Sequence, residues 1–116
     1  MKKVYYLSTC DTCKRIMKEV GVDDTFEKQD IKTEQITASQ LEAMSTLSGS
    51  YEALFSRVAR KYKSLGLKDK NLSEDDYKNY ILDEYTFLKR PVFIIDNEIF
   101  IGNSKKTVEA LKEILL

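Results

Sequence analysis

The chain has 116 residues, room for a single domain. Hydrophobic residues make up 42% and charged residues 33%, which excludes a disordered or a membrane-embedded chain. Nineteen basic residues balance nineteen acidic ones, so the basic footprint of a direct nucleic-acid binder is missing. No apolar run approaches the roughly 18 residues of a membrane span. The start, Met1–Leu7, carries a lysine pair but too short an apolar run for a secretory signal, which needs about 7–15 residues. The expectation is a cytoplasmic protein without membrane contact.

Histidine is absent, which excludes Ser-His and Cys-His catalysis and any His-ligated metal. Two cysteines are present, Cys10 and Cys13, in the spacing Cys10-Asp11-Thr12-Cys13. A structural zinc wants four ligands, and two thiolates fall short unless two chains share their pairs, so no metal is expected. A disulfide scaffold suits small exported chains, and this one has the length for an apolar core. A redox pair remains, or two inert thiols.

In chain order, Val4–Leu7 is a short run rich in β-formers and predicts a buried strand. Cys13, Ile16, Met17 and Val20 then recur at helical spacing, and Gly21 supplies a stop. A second strand is predicted over Thr25–Gln29. From about Thr37 to Leu88 the pattern is helical. Thr37 with Gln40 makes a capping box ahead of Leu41, Met44 and Leu47, and Ser48-Gly49-Ser50 interrupts. A further helical stretch or pair of stretches is predicted from Tyr51 to Leu65, closed by Gly66. Ser73-Glu74-Asp75-Asp76 opens another helix, with a hydroxyl cap and acids where the dipole favours them. Val92–Ile95 and Ile99–Ile101, joined by Asp96-Asn97-Glu98, predict an antiparallel hairpin. A final helix is predicted, with apolar residues Val108, Leu111, Ile114 and Leu115. The order is β-α-β, a helical middle over about residues 37–88, then β-β-α, all in one domain spanning residues 1–116.

The cysteine pair sits where the first strand gives way to the first helix. At that point unpaired N–H groups and the positive end of the helix dipole stabilise an anion. A thiol placed there ionises below its ordinary value of about 8.5 and becomes a nucleophile at neutral pH. Lys14 and Arg15 would act in the same direction. Cys13, on the apolar stripe, is expected to be the more buried, so Cys10 is the candidate nucleophile and Cys13 the resolving thiol. The last helix opens Ser104-Lys105-Lys106-Thr107. Its lysines are either solvated surface groups or a hold for an anion such as a glutathione carboxylate.

The segments Ser8-Thr9-Cys10-Asp11-Thr12-Cys13, Leu54-Phe55-Ser56-Arg57, Tyr62-Lys63-Ser64-Leu65-Gly66-Leu67 and Lys89-Arg90-Pro91-Val92 resemble the family of glutaredoxin-coupled arsenate reductases (ArsC) and Spx transcriptional regulators. The resemblance implies an α/β, thioredoxin-like (glutaredoxin-like) fold. Its core would be a four-stranded mixed sheet with a helical insertion between the second and third strands. It implies a cis bond before Pro91, packed against the cysteine loop. It assigns catalysis to Cys10, Cys13 and Arg90, and anion or substrate contacts to Thr9, Asp11, Thr12, Arg57 and Pro91. Arsenate reductases of the family surround the oxyanion with three arginines. Arg90 matches one, another falls at or beside Ser56, where Arg57 and Arg60 are neighbours but not clear equivalents, and the third falls at Gly102. The Spx branch shares the Cys10–Cys13 pair, as a reversible disulfide, and the Ser56-Arg57 dipeptide.

Three functions are therefore in view: a thiol–disulfide oxidoreductase, an arsenate reductase dependent on glutathione and glutaredoxin, and a redox-sensing regulator that binds the RNA polymerase α subunit. No resident cofactor is expected. Glutathione with glutaredoxin, or a thioredoxin system, would be the electron source.

Overall fold

Strand β1 covers Lys2–Tyr6 and strand β2 covers Glu27–Asp30, paired in parallel with Tyr5 opposite Gln29 and Tyr6 opposite Asp30. A parallel pair needs a crossover, and helix α1, Asp11–Glu19, supplies it. The helix ends because Gly21 adopts φ +81°, and the N–H groups of Val22 and Gly21 bond back to the carbonyls of Met17 and Lys18. A computed structural model describes residues 1–116, the whole chain. Contacts divide it into two compact units, Met1–Gln35 with Arg90–Leu116, and Ile36–Lys89.

In the first unit, strand β3 (Val92–Ile95) lies antiparallel to β1, and β4 (Glu98–Ile101) lies antiparallel to β3. The sheet order is β2-β1-β3-β4. All four residues of β3 are buried, which is why its sequence is continuously apolar rather than alternating. The hairpin turns at Asp96, which accepts φ +55° and pairs its carboxylate with the N-terminal amine at 2.9 Å. Helix α5, Lys105–Leu115, is capped by the Ser104 hydroxyl. Val4, Phe93 and Ile95 of the sheet pack with Ile16 and Val20 after β1 and with Val108 and Leu111 of α5. Phe26 meets Phe93 edge to face, with centroids 6.1 Å apart.

The second unit contains helix α2, Ala38–Ser48, short helix α3, Arg60–Ser64, and helix α4, Glu74–Asp83. The 3-10 turns Glu52–Leu54 and Leu67–Asp69 connect them, and a third, Tyr85–Phe87, follows α4. Both expected capping signals are realised. Thr37 and Gln40 bond reciprocally at the start of α2, as do Ser73 and Asp76 at the start of α4. The rings of Phe55 and Phe87 stack at 5.0 Å, and Tyr77 packs on Phe55 at 4.9 Å.

The structure corrects the reading at several places. Over residues 51–65, where one helical stretch or a pair is expected, the structure has two short ones, Glu52–Leu54 and Arg60–Ser64, separated by extended chain. After one 3-10 turn the backbone extends at Phe55, which bridges to Leu88, and the Ser56 N–H bonds to the Phe87 carbonyl. Helical periodicity was carried there by aromatic packing, and these non-local hydrogen bonds satisfy backbone groups that a helix would have used. Strand β2 begins two residues later than expected, because Thr25 is held in a turn by the Asp23 carboxylate. Leu47 and Ile114, placed on apolar stripes, are exposed. Phe93 fills the centre of the first unit, so Phe93→Ala should cost about 3–5 kcal/mol in a denaturant titration. A cost within experimental error of zero would contradict this account of the core.

Candidate redox site

Strand β1 delivers the chain to Leu7, and a tight turn follows in which the Cys10 N–H bonds to the Leu7 carbonyl at 2.9 Å. Cys10 is extended, with φ −101° and ψ 108°, and stands at the N-cap of α1. Its carbonyl accepts the Lys14 N–H, while its sulfur accepts the Cys13 N–H at 3.4 Å. Sulfur thus occupies the place that a Ser, Thr or Asp oxygen usually fills at a helix start. Cys10 is partly exposed. Cys13 is fully buried at the foot of the same turn, and the two thiols are reduced.

This asymmetry separates the two thiols electrostatically. Partial burial alone would raise Cys10. The hydrogen bonds from the Cys13 backbone and side chain, the Arg90 charge and the Thr12 N–H outweigh it, and the thiol is held below its ordinary value. Burial pushes Cys13 up to about 12, a shift opposed by a hydrogen bond from the Leu7 backbone and reinforced by the hydrogen bond and charge of Cys10. The cation that acts most strongly on the pair is Arg90, whereas Lys14 and Arg15 are exposed.

Arg90 precedes Pro91, and the bond between them is cis. Pro91 is buried, and its carbonyl accepts the Gly102 N–H at 2.9 Å, which ties the start of β3 to the end of β4. Arg90 is partly buried and makes contacts of its own; its Nε is buried without a hydrogen bond. Asp11 and Thr9 are exposed and Thr12 is partly exposed, so the residues that flank Cys10 in sequence are open to solvent.

Arg57 belongs to the second unit. Its Nη2 donates to Glu52 at 2.8 Å and to the Tyr77 hydroxyl at 3.0 Å, so its charge is already matched there. Ser56 beside it is buried. Gly102, where the resemblance would put a third arginine, sits at φ +86°, a conformation that side-chain-bearing residues rarely adopt. Lys105 and Lys106 are exposed on the first turn of α5. No three His, Cys, Asp or Glu side chains gather as a metal site, and no helix is long and apolar enough to cross a membrane.

Sequence reasoning missed Asp30. Its carboxylate, at the end of β2, accepts the Ser8 N–H at 3.2 Å and the Lys32 N–H at 3.2 Å. Burial would raise Asp30, but bonds from the Ser8 side chain and backbone, the Lys32 N–H and the Thr33 hydroxyl hold it below the usual carboxylate range. An Asp directly after the strand predicted over Thr25–Gln29 was the available signal.

A four-stranded mixed sheet with this loop at a β-to-α junction defines a thiol-bearing α/β protein of the thioredoxin-like class. The chain belongs to the ArsC family, whose model matches residues 5–111. Among solved structures it is similar to the YffB protein, at 20% identity over the whole of both chains with a TM-score of 0.81. It is similar to a possible arsenate reductase from Streptococcus mutans, at 26% identity over 96% of this chain and 97% of that one, TM-score 0.71. An arsenate reductase from Vibrio cholerae matches at 17% identity over 98% and 97% of the two chains, TM-score 0.76. No curated protein matches the chain. Family membership supports a thiol-based redox function.

The buried thiol has a consequence for stability. Unfolded, Cys13 ionises near the ordinary thiol value of about 8.5, and folded it ionises only near about 12. Its contribution is therefore whole below the unfolded value and is lost as pH rises toward the folded one, where the unfolded chain releases a proton that the folded chain keeps. Between about pH 8 and about pH 10, the melting temperature of the reduced wild type should fall more steeply than that of Cys13→Ala, followed by circular dichroism. Parallel slopes would contradict the burial argument.

Proposed function

We propose that the chain is a thiol–disulfide oxidoreductase in which Cys10 attacks, Cys13 resolves and Arg90 stabilises the attacking thiolate. The observation that carries this reading is the Cys10 sulfur at the N-cap of α1, accepting the Cys13 N–H with the thiol held below its ordinary value.

The Cys10 thiolate attacks one sulfur of a substrate disulfide, forms a mixed disulfide and expels the other sulfur as a thiolate, which takes up a proton. Once Cys10 is in that bond, its charge and its hydrogen bond no longer hold the proton on Cys13. Cys13 then ionises more readily, attacks Cys10 and releases the second substrate thiol. The chain is left with a Cys10–Cys13 disulfide and has passed two electrons to the substrate. An external dithiol or two glutathiones restore it, so glutathione with glutaredoxin, or a thioredoxin system, is the proposed electron source. No resident cofactor enters the cycle. A reducing compartment, the cytoplasm, suits a pair that must be returned to its thiol form. Thr9, Asp11, Thr12 and Pro91 would line the approach to Cys10.

Family membership favours a second reading, arsenate reduction by Cys10 with glutathione and glutaredoxin, in which Arg90 faces the oxyanion. The glycine at position 102 and the engagement of Arg57 with Glu52 weigh against a full arginine cradle. A regulator would use the same Cys10–Cys13 disulfide, and capture of the RNA polymerase α subunit by the oxidised but not the reduced chain would identify it.

With oxidised glutathione, Cys13→Ser should accumulate a one-to-one glutathione adduct on Cys10, visible as a mass increase, while Cys10→Ser forms none. The wild type should instead end as the internal disulfide. Unimpaired disulfide turnover by Cys13→Ser would overturn the resolving role. Arsenate-dependent NADPH consumption by that variant, in the presence of glutathione, glutathione reductase and glutaredoxin, would establish the second reading instead.

A further inference from the structure

The turn that presents Cys10 leaves the sheet after Tyr6, and its backbone groups need partners outside the ladder. The Cys10 N–H finds its partner within the turn, on the Leu7 carbonyl at 2.9 Å. The Ser8 N–H has no partner there. It is taken by the Asp30 carboxylate at 3.2 Å, across 22 residues of sequence.

Asp30 is itself firmly placed. It pairs with Tyr6 in the parallel register, and the following Ile31 N–H bonds to the Tyr6 carbonyl at 2.9 Å. Its own carbonyl accepts the N–H groups of Thr33 at 3.2 Å and Glu34 at 2.8 Å. The same carboxylate oxygen that holds Ser8 also accepts the Lys32 N–H at 3.2 Å, closing a turn at the end of β2. One side chain therefore fastens the cysteine loop to a rigid strand end.

We propose that Asp30 is a positioning residue for Cys10: by holding the Ser8 N–H, its carboxylate fixes the Leu7–Cys10 turn so that the Cys10 sulfur meets the N–H groups at the start of α1. This rests on the reading of Cys10 as the nucleophile. A carboxylate oxygen is a strong acceptor for a backbone N–H, and its charge strengthens that bond. If the bond is lost, the turn relaxes and the sulfur moves off its donors. Donors aimed at an anion are effective only over a narrow range of distance and angle, so modest loosening raises the thiol's pKa.

The sign of the effect separates positioning from simple electrostatics. A negative charge acting through space would disfavour the thiolate, so its removal would lower the pKa of Cys10. Positioning requires the opposite. Asp30→Ala, which removes the acceptor, should raise the Cys10 pKa and slow its alkylation at neutral pH roughly three- to tenfold. Asp30→Asn keeps an oxygen acceptor without the charge and should stay within about twofold of wild type.

The experiment measures iodoacetamide alkylation of Cys10 against pH in wild type, Asp30→Ala and Asp30→Asn, all carrying Cys13→Ser, with folding checked by circular dichroism. The expected result is a raised pKa in Asp30→Ala and near-complete rescue in Asp30→Asn. An unchanged or lowered pKa in a folded Asp30→Ala, or an Asp30→Asn pKa displaced as far as that of Asp30→Ala, overturns the proposal. Should Asp30→Ala fail to fold, Asp30→Val, which likewise removes the acceptor, takes its place under the same criteria. A wild-type-background thiol already at its ordinary value would instead defeat the nucleophile reading itself, so the two failures are distinct.

Discussion

The hydrogen bond from the Cys13 N–H to the Cys10 sulfur binds helix formation and reactivity into one contact. A helix start leaves N–H groups without intrahelical partners, and most chains satisfy one of them with a side-chain oxygen. Here the acceptor is sulfur, a weak acceptor as a thiol and a strong one as a thiolate. The helix is therefore better capped when Cys10 is ionised, and the same donors hold the proton off. Serine at this position would satisfy the helix and leave no nucleophile.

What distinguishes the two cysteines is depth. They are one helical turn apart, and similar influences act on both: each feels Arg90, and each has a backbone hydrogen bond, from Cys13 and Thr12 for Cys10 and from Leu7 for Cys13. Full burial of Cys13 on the stripe with Ile16 overrides those influences, whereas the partial exposure of Cys10 lets its donors prevail. The sheet makes this possible. Pairing of Tyr5 with Val92 brings the segment entering β3, and with it Arg90, alongside the stretch that leads from β1 to Cys10. A cation far away in sequence thus reaches the site through strand register.

Features written locally were legible from the residues alone. The spacing of Cys13, Ile16 and Val20, the Thr37–Gln40 and Ser73–Asp76 caps and the continuous apolar run of β3 each state their structure within a few positions. So did the placement of Cys10 at a strand-to-helix junction. Features that depend on distant partners were not. The extension at Phe55 follows from bonds to the 87–88 segment, and the partner of the Ser8 N–H lies on another strand. Lys14 and Arg15 had the right charge and sequence distance, yet a helix turns their side chains toward solvent. The cis bond at Pro91, present in the structure, was implied by family resemblance and not by any local signal.

The central claim is that one thiol, and only one, is poised as a thiolate because of where it sits. Thiolate absorbance in the ultraviolet, followed against pH in the reduced wild type and in the single variants Cys10→Ser and Cys13→Ser, tests it most directly. The account requires one thiolate to appear below the ordinary thiol value and to vanish in Cys10→Ser, with the second appearing only in strongly alkaline solution. Two thiols ionising together at the ordinary value, or an early thiolate that survives in Cys10→Ser, would contradict it.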